Sequence, residues 1–333
     1  MPWTLRWGVE VEATMEWMYY RYPQAGTLRL GGKDRKVFLQ QLTTNDIEAL
    51  SPDQAVFTVL TNAAGRVLDW LLVLEEGEYL LVLTLPGRGE TTFAYLQSQR
   101  EEPPLGTVPL ASLRRVTPRF QVEVRDESRL WDQAVLLPGE GPPPGGLDAP
   151  QHVGHVQRFA NGSAAVSLPQ ALGGGLLVLT PRGVTVMVVA RAVLLDTQAF
   201  DVERVRRGIL GPETELTAEF SPLELGLKDF VAFDKDAAFP GRAVLATEAR
   251  QTERGRQLVG LRLHAPITLP ASVRMGETQI GPVTSAVTTP EGPLALAVVR
   301  RPYHQPGTQV SVHYAEGEHE RTVPAEVSAL PLA

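Results

Sequence analysis

Residues 222–245 read PLELGLKDFVAFDKDAAFPGRAVL, a stretch that combines turn residues with basic side chains. Lys235 is followed by a Phe-Pro-Gly-Arg turn at Phe239–Arg242. Gly241 in this turn lets the backbone adopt a positive φ or approach a neighbour closely. Lys235 and Arg242 beside it predict a site for an anion, because the planar fork of an Arg matches a carboxylate. The alternative is a loop packed between two domains.

The composition is that of a globular protein with two or three domains, since the chain has 333 residues of which 43% are hydrophobic. A formal net charge of −7 gives no overall electrostatic footprint for nucleic acid, so no direct nucleic-acid partner is predicted. The chain has no cysteine, which excludes disulfides, thiolate zinc sites and an iron–sulfur cluster held by its own cysteines. The six histidines show no metal-binding spacing, and no metal site is predicted.

The N-terminal segment does not read as a secretory signal, because Glu10, Glu12 and Glu16 interrupt its apolar residues. No apolar run reaches the length of about 18 residues that a membrane span needs, so no membrane association is predicted. Together with the lack of cysteine, this favours a cytoplasmic protein. Residues 1–21 are interpreted as an extension, within which Met1, Met15 or Met18 could start translation.

The residue patterns predict a mixture of helices and strands. The clearest element is a hairpin, because two apolar runs, Val67–Leu74 and Glu78–Thr84, flank a short Glu-Glu-Gly connection. Ser128–Leu137 is predicted as a short helix, and the Pro- and Gly-rich segment Pro138–Pro150 as a linker. The other predicted helices are Asp34–Leu42, a segment through Phe93 and Leu96, and Asp201–Arg207, and the other predicted strands are Thr27–Leu30, Ala55–Leu60, Phe120–Val124, Ala164–Leu168, Leu176–Leu179 and Val184–Ala190.

The C-terminal part of the chain is predicted to form a small β-barrel or sandwich. Its short apolar runs are bounded by Gly and Pro at regular spacing, as in small all-β domains. The predicted strands are Leu258–Leu263, Gly281–Val287, Leu294–Val299 and Gln309–Tyr314.

Five segments in order resemble the superfamily of folate-binding proteins that contains the glycine-cleavage T-protein, an aminomethyltransferase. They are GTLRLGGKDRKVFLQQLTTNDIEAL at 26–50, AVFTVLTNAAGRVLDWLLVL at 55–74, DVERVRRGILGPETELTAEFSPLELGL at 201–227, LVGLRL at 258–263 and GPVTSAVTTPEGPLALAVVRR at 281–301. The resemblance implies an α+β fold with three domains around a central folate channel and a small C-terminal β-barrel. The implied domains are residues 22–115 plus 200–245 for folate binding, 116–199 as a second α+β module and 250–333 as the barrel.

Two branches of this superfamily are compatible with the sequence, and the chain departs from both. Aminomethyltransferases carry two adjacent aspartates in the second hairpin strand, the second being catalytic, where this chain has Asp69 and Trp70. Their pterin-holding Glu corresponds to Leu176, and Leu offers no acceptor to an amino-pyrimidine edge. YgfZ-type folate-binding proteins usually carry K-G-C-[YF]-x-G-Q-E, where this chain has KDAAFPGR at 235–242, without the Cys. The lead-in YRYPQAG and the stretch RVRRGI at 204–209 are similar to the second branch, whose members support iron–sulfur cluster assembly and thereby tRNA modification.

The resemblance also implies a set of residues that bind tetrahydrofolate, while no catalytic residue is assigned. Asp69 is either a pocket acceptor for a folate amine or a carboxylate that binds nearby backbone amides. For each of the other expected binding residues, the alternative is an ordinary structural role in the core, at a strand end, in a turn or on a solvated helix face. The expected tetrahydrofolate-binding residues are Phe57, Asp69, Thr84, Phe200, Arg204, Lys235, Gly241 and Arg242.

Three functions follow as hypotheses. The first is a tetrahydrofolate-binding accessory protein of the YgfZ type without turnover of its own, with iron–sulfur proteins as partners. The second is a tetrahydrofolate-dependent aminomethyltransferase-like or demethylase-like enzyme with a rearranged site. The third is a scaffold of the same fold that binds partner proteins and no folate.

Overall fold

The computed structural model describes residues 16–101, 120–184, 192–251 and 253–332. Within these residues the chain has an α+β fold. It is built from two open sheets, in which most strand pairs are antiparallel, and one closed barrel. The α+β prediction and the C-terminal barrel are thereby confirmed. None of the helices in this part of the chain is long and apolar enough to cross a bilayer.

The first sheet has the strand order β3-β4-β5-β2-β6 and contains the predicted hairpin, which is confirmed. Two helices, α1 (Arg35–Gln40) and α2 (Gly89–Glu101), lie on the same side of this sheet, where Phe38 and Leu96 join a buried cluster. The opposite face belongs to the central core of the molecule. The strands are β2 (Thr27–Gly31), β3 (Val56–Thr61), β4 (Val67–Glu76), β5 (Tyr79–Thr84) and β6 (Glu123–Asp126).

The second sheet has the strand order β11-β1-β7-β10-β9-β8. The prediction of a helix at Ser128–Leu137 is wrong, because most of this segment is a strand of this sheet. Only Ser128–Leu130 form a short 3₁₀ helix, and the rest is a strand between two partners. The apolar residues of this segment suit a strand because the sheet buries both of its faces. The strands are β1 (Met18–Arg21), β7 (Trp131–Leu137), β8 (Val156–Arg158), β9 (Ala164–Ser167), β10 (Leu176–Pro181) and β11 (Val193–Leu194).

The sheets divide the chain differently from the boundaries expected at residues 21 and 116. Met18–Arg21, expected to belong to an extension, pairs with β7 and β11 inside the second sheet. Glu123–Asp126, expected in the second module, pairs with β2 in the first sheet. The strand predicted at Val184–Ala190 falls almost wholly outside the described residues.

The closed barrel has the order β12-β15-β14-β13-β16-β17. Two of its strands were not predicted, because charged and exposed residues interrupt the apolar alternation of β17 and β13 is only five residues long. The helix α3 (Thr197–Arg207) contacts β14 and β15. It begins four residues before the predicted start at Asp201. The Asp196 side chain caps this earlier start by accepting a hydrogen bond from the backbone N–H of Ala199 at 2.8 Å. The strands are β12 (Arg256–Leu263), β13 (Ala271–Met275), β14 (Thr278–Thr289), β15 (Gly292–Arg300), β16 (Gln309–Glu316) and β17 (His319–Ser328), and a further helix, α4 (Arg242–Arg250), precedes the barrel.

Candidate functional site

A small inner cavity of about 40 Å³ lies in the central core, where the two sheets meet the loop after α3. Most of its lining is aliphatic, with Leu168, Leu172 and Leu177 on one side. Its polar lining consists of Tyr22, Trp70, Thr84, Gln133 and Arg204. A cavity of this size holds a group no larger than a water molecule or a small substituent.

An outer groove of about 350 Å³ continues from the inner cavity toward the surface. The two spaces share Tyr22, Phe200, Arg204 and the two prolines Pro86 and Pro212. Tyr20 stacks on Phe200 with ring centroids 4.0 Å apart and planes 3° from parallel, and Tyr22 meets Phe200 edge-on at 6.0 Å. The groove therefore has a preformed aromatic wall, and burial raises the pKa of the Tyr22 hydroxyl above its ordinary value.

Three of the residues expected from the sequence lie together at this site. Thr84, Phe200 and Arg204 all line the inner cavity. Phe57 lies in the same core, where its ring stacks on Trp70 at 5.6 Å. The lining thus joins the end of β5 to α3, although these elements are more than a hundred residues apart in the sequence.

Trp70 is a cavity residue that the sequence analysis did not select. Trp70 is 7% exposed and lines the inner cavity. Its ring stacks on Phe57, and Phe57 stacks on Phe230 at a centroid distance of 5.5 Å. The indole Nε1 has no hydrogen-bond partner among the described residues. The signal that could have identified Trp70 is its place in β4, one residue from Asp69.

Asp69 lies on the other face of β4, toward the helices, and not at the cavity. The strand alternation sets this direction, because Leu71 and Val73 lie on the same helix-covered face while Trp70 and Leu72 face the central core. The carboxylate accepts hydrogen bonds from the backbone N–H groups of Trp70 and Leu85, at 2.8 and 3.2 Å, and from the Thr92 hydroxyl. Burial raises the pKa of the Asp69 carboxyl to about 7, although these three hydrogen bonds oppose the rise. This geometry corresponds to the alternative in which Asp69 binds nearby backbone amides.

Arg204 is engaged in a buried network within the protein. Its guanidinium contacts Glu215 at 3.1 Å, the Ser285 hydroxyl at 3.1 Å and Asp201 at 3.1 Å. Glu215 is fully buried and also accepts from Ser285 at 2.7 Å. Because Ser285 lies on β14, the network joins α3 to the barrel, and the charge of Arg204 at the cavity wall is already balanced.

Lys235 does not face either space of the site, contrary to its expected role in binding an anion. Its ammonium donates to the backbone carbonyls of Gln40, Thr43 and Asn45, at 2.6, 2.5 and 3.0 Å. These three acceptors match the three donors of an ammonium group. Burial lowers the pKa of Lys235 to about 8. Lys235 therefore ties the 222–245 stretch to the loop after α1.

Gly241 and Arg242 likewise serve the packing of this stretch. Arg242 donates to the backbone carbonyls of Ala237 and Phe233, at 3.2 and 2.5 Å, and so closes its own turn. Gly241 has a φ of +81° and lies against the turn that contains Gly65. The alternative of a loop packed between domains describes the position of these residues.

Glu224 is a further residue of this stretch whose role the sequence did not reveal. Its carboxylate, 6% exposed, binds Arg66 at 2.8 Å and Arg256 at 2.8 Å. Arg66 belongs to the turn before β4, and Arg256 begins the barrel strand β12. Residues 222–245 therefore connect the first sheet to the barrel through charged pairs.

Comparisons with known proteins agree with this architecture. A family model described as the glycine cleavage T-protein C-terminal barrel domain matches residues 256–333. A protein named aminomethyltransferase from Parasynechococcus marenigrum is 30% identical over 313 residues, which cover 86% of this chain and 80% of that protein. The chain belongs to the aminomethyltransferase family. Another aminomethyltransferase, from Saccharopolyspora erythraea, is 27% identical and is matched over 92% of this chain and 84% of its own length. The aminomethyltransferase T of the glycine cleavage system from Bartonella henselae has the same fold, with a TM-score of 0.72 at 18% identity, over 96% of this chain and 87% of that one.

The inner cavity of this aminomethyltransferase family member has no carboxylate in its described lining. Trp70 occupies the lining position next to Asp69, whose carboxylate points to the opposite face of the sheet. On β10, Leu177 and not Leu176 faces the cavity, because Leu176 belongs to a separate cluster on the outer face of the second sheet. Leu176, the residue that the resemblance matched to the pterin-holding Glu, therefore lies outside the lining of the cavity.

Proposed function

We propose that this protein binds tetrahydrofolate in the outer groove, with the reactive end of the pterin toward the inner cavity, and acts on a folate-borne one-carbon unit. The proposal makes it a tetrahydrofolate-dependent enzyme related to aminomethyltransferases. It is supported by the family membership, since relatives named aminomethyltransferase match most of the chain. The observation that carries it is the aromatic wall of Tyr20, Tyr22 and Phe200 at the mouth of the inner cavity.

The groove suits a flat ring system better than a charged chain. Its volume of about 350 Å³ lies within the range of roughly 300–1,000 Å³ that is usual for small-molecule sites. Stacked aromatic side chains bind the faces of heteroaromatic rings at a defined spacing. Asp201 and Glu213 line the outer part, while the positive charge of Arg204 is balanced by Glu215. The glutamate tail of a folate would therefore extend into solvent.

The residues at the cavity can bind, orient and exclude water. Tetrahydrofolate would supply the nitrogen atoms that carry a one-carbon unit. Thr84 donates to the carbonyl of Leu85 at 3.1 Å, which leaves its hydroxyl oxygen able to accept from a ligand N–H group. The leucines make much of the cavity wall apolar, and no described side chain in its lining is a carboxylate that could take up a proton.

Calorimetry with tetrahydrofolate tests the proposal. Wild-type protein is expected to bind with a saturable isotherm, and Phe200→Leu is expected to bind about ten-fold more weakly because the stacked ring is lost. Phe38→Leu is the matched control, since Phe38 is fully buried in the helix-covered cluster on the opposite face of the first sheet. Equal affinity in the two variants would place the ligand elsewhere. The catalytic part is tested by formation of methylene- or methyl-tetrahydrofolate from an amine or thioether donor.

A second candidate is a folate-binding accessory protein that supports iron–sulfur proteins, and thereby tRNA modification, without turnover. Trp70 favours it, because an indole at the cavity wall cannot act as a general base. Folate binding without product from any donor would support this candidate. Unchanged activity of iron–sulfur enzymes and unchanged tRNA thiolation after gene deletion would count against it. Absence of folate binding would leave the scaffold function.

A further inference from the structure

We infer that the hydroxyl group of Tyr22 recognises the bound pterin, by donating a hydrogen bond to the oxo group that the ring carries beside its reactive nitrogen. Tyr22 thereby sets the preference of the site for an oxo-pterin over an amino-pterin. The inference rests on the proposed function, because it concerns the ligand of the same site.

The hydroxyl of Tyr22 is a polar group without a partner inside the protein. In the part of the chain that the structure describes it makes no hydrogen bond, whereas the Tyr20 hydroxyl lies 3.5 Å from that of Thr197. The Tyr22 oxygen is also accessible, unlike the unpaired indole nitrogens of Trp70 and Trp131, which solvent does not reach. A polar group of this kind is satisfied by water or by a ligand.

Tyr22 belongs to the region where the two spaces of the site meet. It lines both the inner cavity and the outer groove, and so does Arg204. Burial raises the pKa of the Tyr22 hydroxyl, and the Arg204 guanidinium is close enough to oppose that rise. The ring of Tyr22 meets those of Tyr20 and Phe200 edge-on, at 5.8 and 6.0 Å. These contacts hold the hydroxyl beside a ligand that lies along the aromatic wall.

The neighbours of this hydroxyl specify a ligand atom that accepts. The group stays protonated near neutral pH, because its pKa lies above the ordinary value of a tyrosine. Its proton therefore needs an acceptor, and the guanidinium of Arg204 offers only N–H groups. The positive charge of Arg204 also attracts the electron-rich atoms of a ligand and repels its N–H groups. An oxo group meets both conditions, whereas an amino group in the same place meets neither.

A pterin presents such an acceptor at the appropriate end. Its oxo group at C4 is next to N5, a nitrogen that carries one-carbon units, and this is the end that the proposed function directs toward the inner cavity. The outer groove of about 350 Å³ has room for the rings. A hydroxyl that only meets solvent is the rival explanation, and it would give no preference between an oxo and an amino group.

The test compares tetrahydrofolate with 4-amino-4-deoxytetrahydrofolate, which have the same ring shape and tail and differ in the group at C4. Calorimetry on wild-type protein is expected to show about ten-fold tighter binding of tetrahydrofolate. Tyr22→Phe keeps the ring of the aromatic wall and removes the hydroxyl. It is expected to weaken tetrahydrofolate about ten-fold, to leave the amino compound within about two-fold and so to abolish the preference. Tyr79→Phe is the matched control, because burial also raises the pKa of Tyr79 but this residue lies outside the lining of both spaces. It is expected to keep the preference.

A measurement on the wild type guards against misfolding of the variant. The chain has seven tyrosines, so ¹³C labelling at Cζ gives seven signals, and that of Tyr22 is identified by its loss in Tyr22→Phe or by elimination with Phe variants of the other tyrosines. It is expected to shift further with tetrahydrofolate than with the amino compound. Equal affinities in the wild type, equal shifts of this signal, or a preference that survives in Tyr22→Phe overturn the inference while the proposed function stands. Binding of neither compound overturns both.

Discussion

Gly241 and Gly65 bring two distant turns into backbone contact: a Cβ atom placed on Gly241 would lie 2.6 Å from the Cα atom of Gly65. The same atom would lie 2.7 Å from the carbonyl oxygen of Asn62. Real Cβ atoms do not approach backbone so closely, and backbone cannot rotate away as a side chain can. The 222–245 stretch is thus fitted to the turn before β4, the strand that carries Trp70 into the cavity.

Gly241→Ala is expected to destabilise the protein by about 2–4 kcal/mol, from the positive φ and the close contact together. Gly226→Ala is the matched control, since Gly226 has a φ of +77° in the same stretch and no atom within 4 Å of an added Cβ. The control is expected to lose only about 1 kcal/mol. Urea unfolding of both variants measures the difference. Equal losses would show that the two turns are not in contact in solution.

Lys235→Met is expected to lower the free energy of unfolding by about 2–4 kcal/mol, because three backbone carbonyls lose a charged donor. The affinity for tetrahydrofolate is expected to stay within about two-fold of wild type, since Lys235 lies outside the lining of the cavity and groove. Lys228→Met, at an exposed lysine of the same stretch, serves as the control. A large loss of affinity in folded Lys235→Met would return this residue to the anion-binding role first expected for it.

Arg204→Met is expected to destabilise the protein by about 3–5 kcal/mol, because it leaves the Glu215 carboxylate buried without its ion pair. The double variant with Glu215→Met is expected to lose less than the sum of the single variants, since the remaining charge is removed as well. Arg321→Met removes an exposed pair with Glu316 and is expected to cost no more than about 1 kcal/mol. If the stability losses of Arg204→Met and Glu215→Met add up to the loss of the double variant, the two side chains do not interact, which would contradict the network.

The sequence was sufficient for those elements whose signal is local. The hairpin of β4 and β5 and the barrel were predicted correctly, because alternating apolar runs and turn residues specify them directly. The segment Ser128–Leu137 was predicted wrongly as a helix, because Leu130, Trp131, Ala134 and Val135 recur at helical spacing. Its conformation is decided by pairing with β1 and β10, whose partner residues lie 40 or more positions away along the chain.

The site was predictable only in part. Thr84, Phe200 and Arg204 were selected through the family resemblance, and they lie together at the cavity. Lys235 was expected at an anion site, but its ammonium binds backbone carbonyls about 190 residues earlier in the chain. No local sequence pattern shows which backbone carbonyls will be available to accept a hydrogen bond. The direction of Asp69 follows the alternation that it shares with Leu71 and Val73, but no local pattern in the sequence says which face of the strand borders the cavity.

Asp69 gives the protein a pH-dependent stability of known sign. Its pKa is about 7 in the folded protein and 3.8 as an ordinary carboxyl, so between these values the folded state binds the proton more strongly than the unfolded state. The contribution of this group to stability is therefore fully present below about pH 4 and falls as the pH rises toward 7, by at most about 1.4 kcal/mol per pH unit.

Asp69→Asn is expected to remove that fall, because the amide cannot ionise and its oxygen can still accept from the backbone N–H groups of Trp70 and Leu85. The variant is expected to match the wild type near pH 4 and to become the more stable protein as the pH approaches 7. Thr92→Val removes one of the donors that oppose the rise, so the fall begins at the same pH and continues to a higher pH. Urea unfolding at intervals from pH 4 to 8 measures all three proteins. Parallel profiles for wild type and Asp69→Asn would show that this carboxyl is ionised in the folded state throughout, and that its hydrogen bonds outweigh its burial.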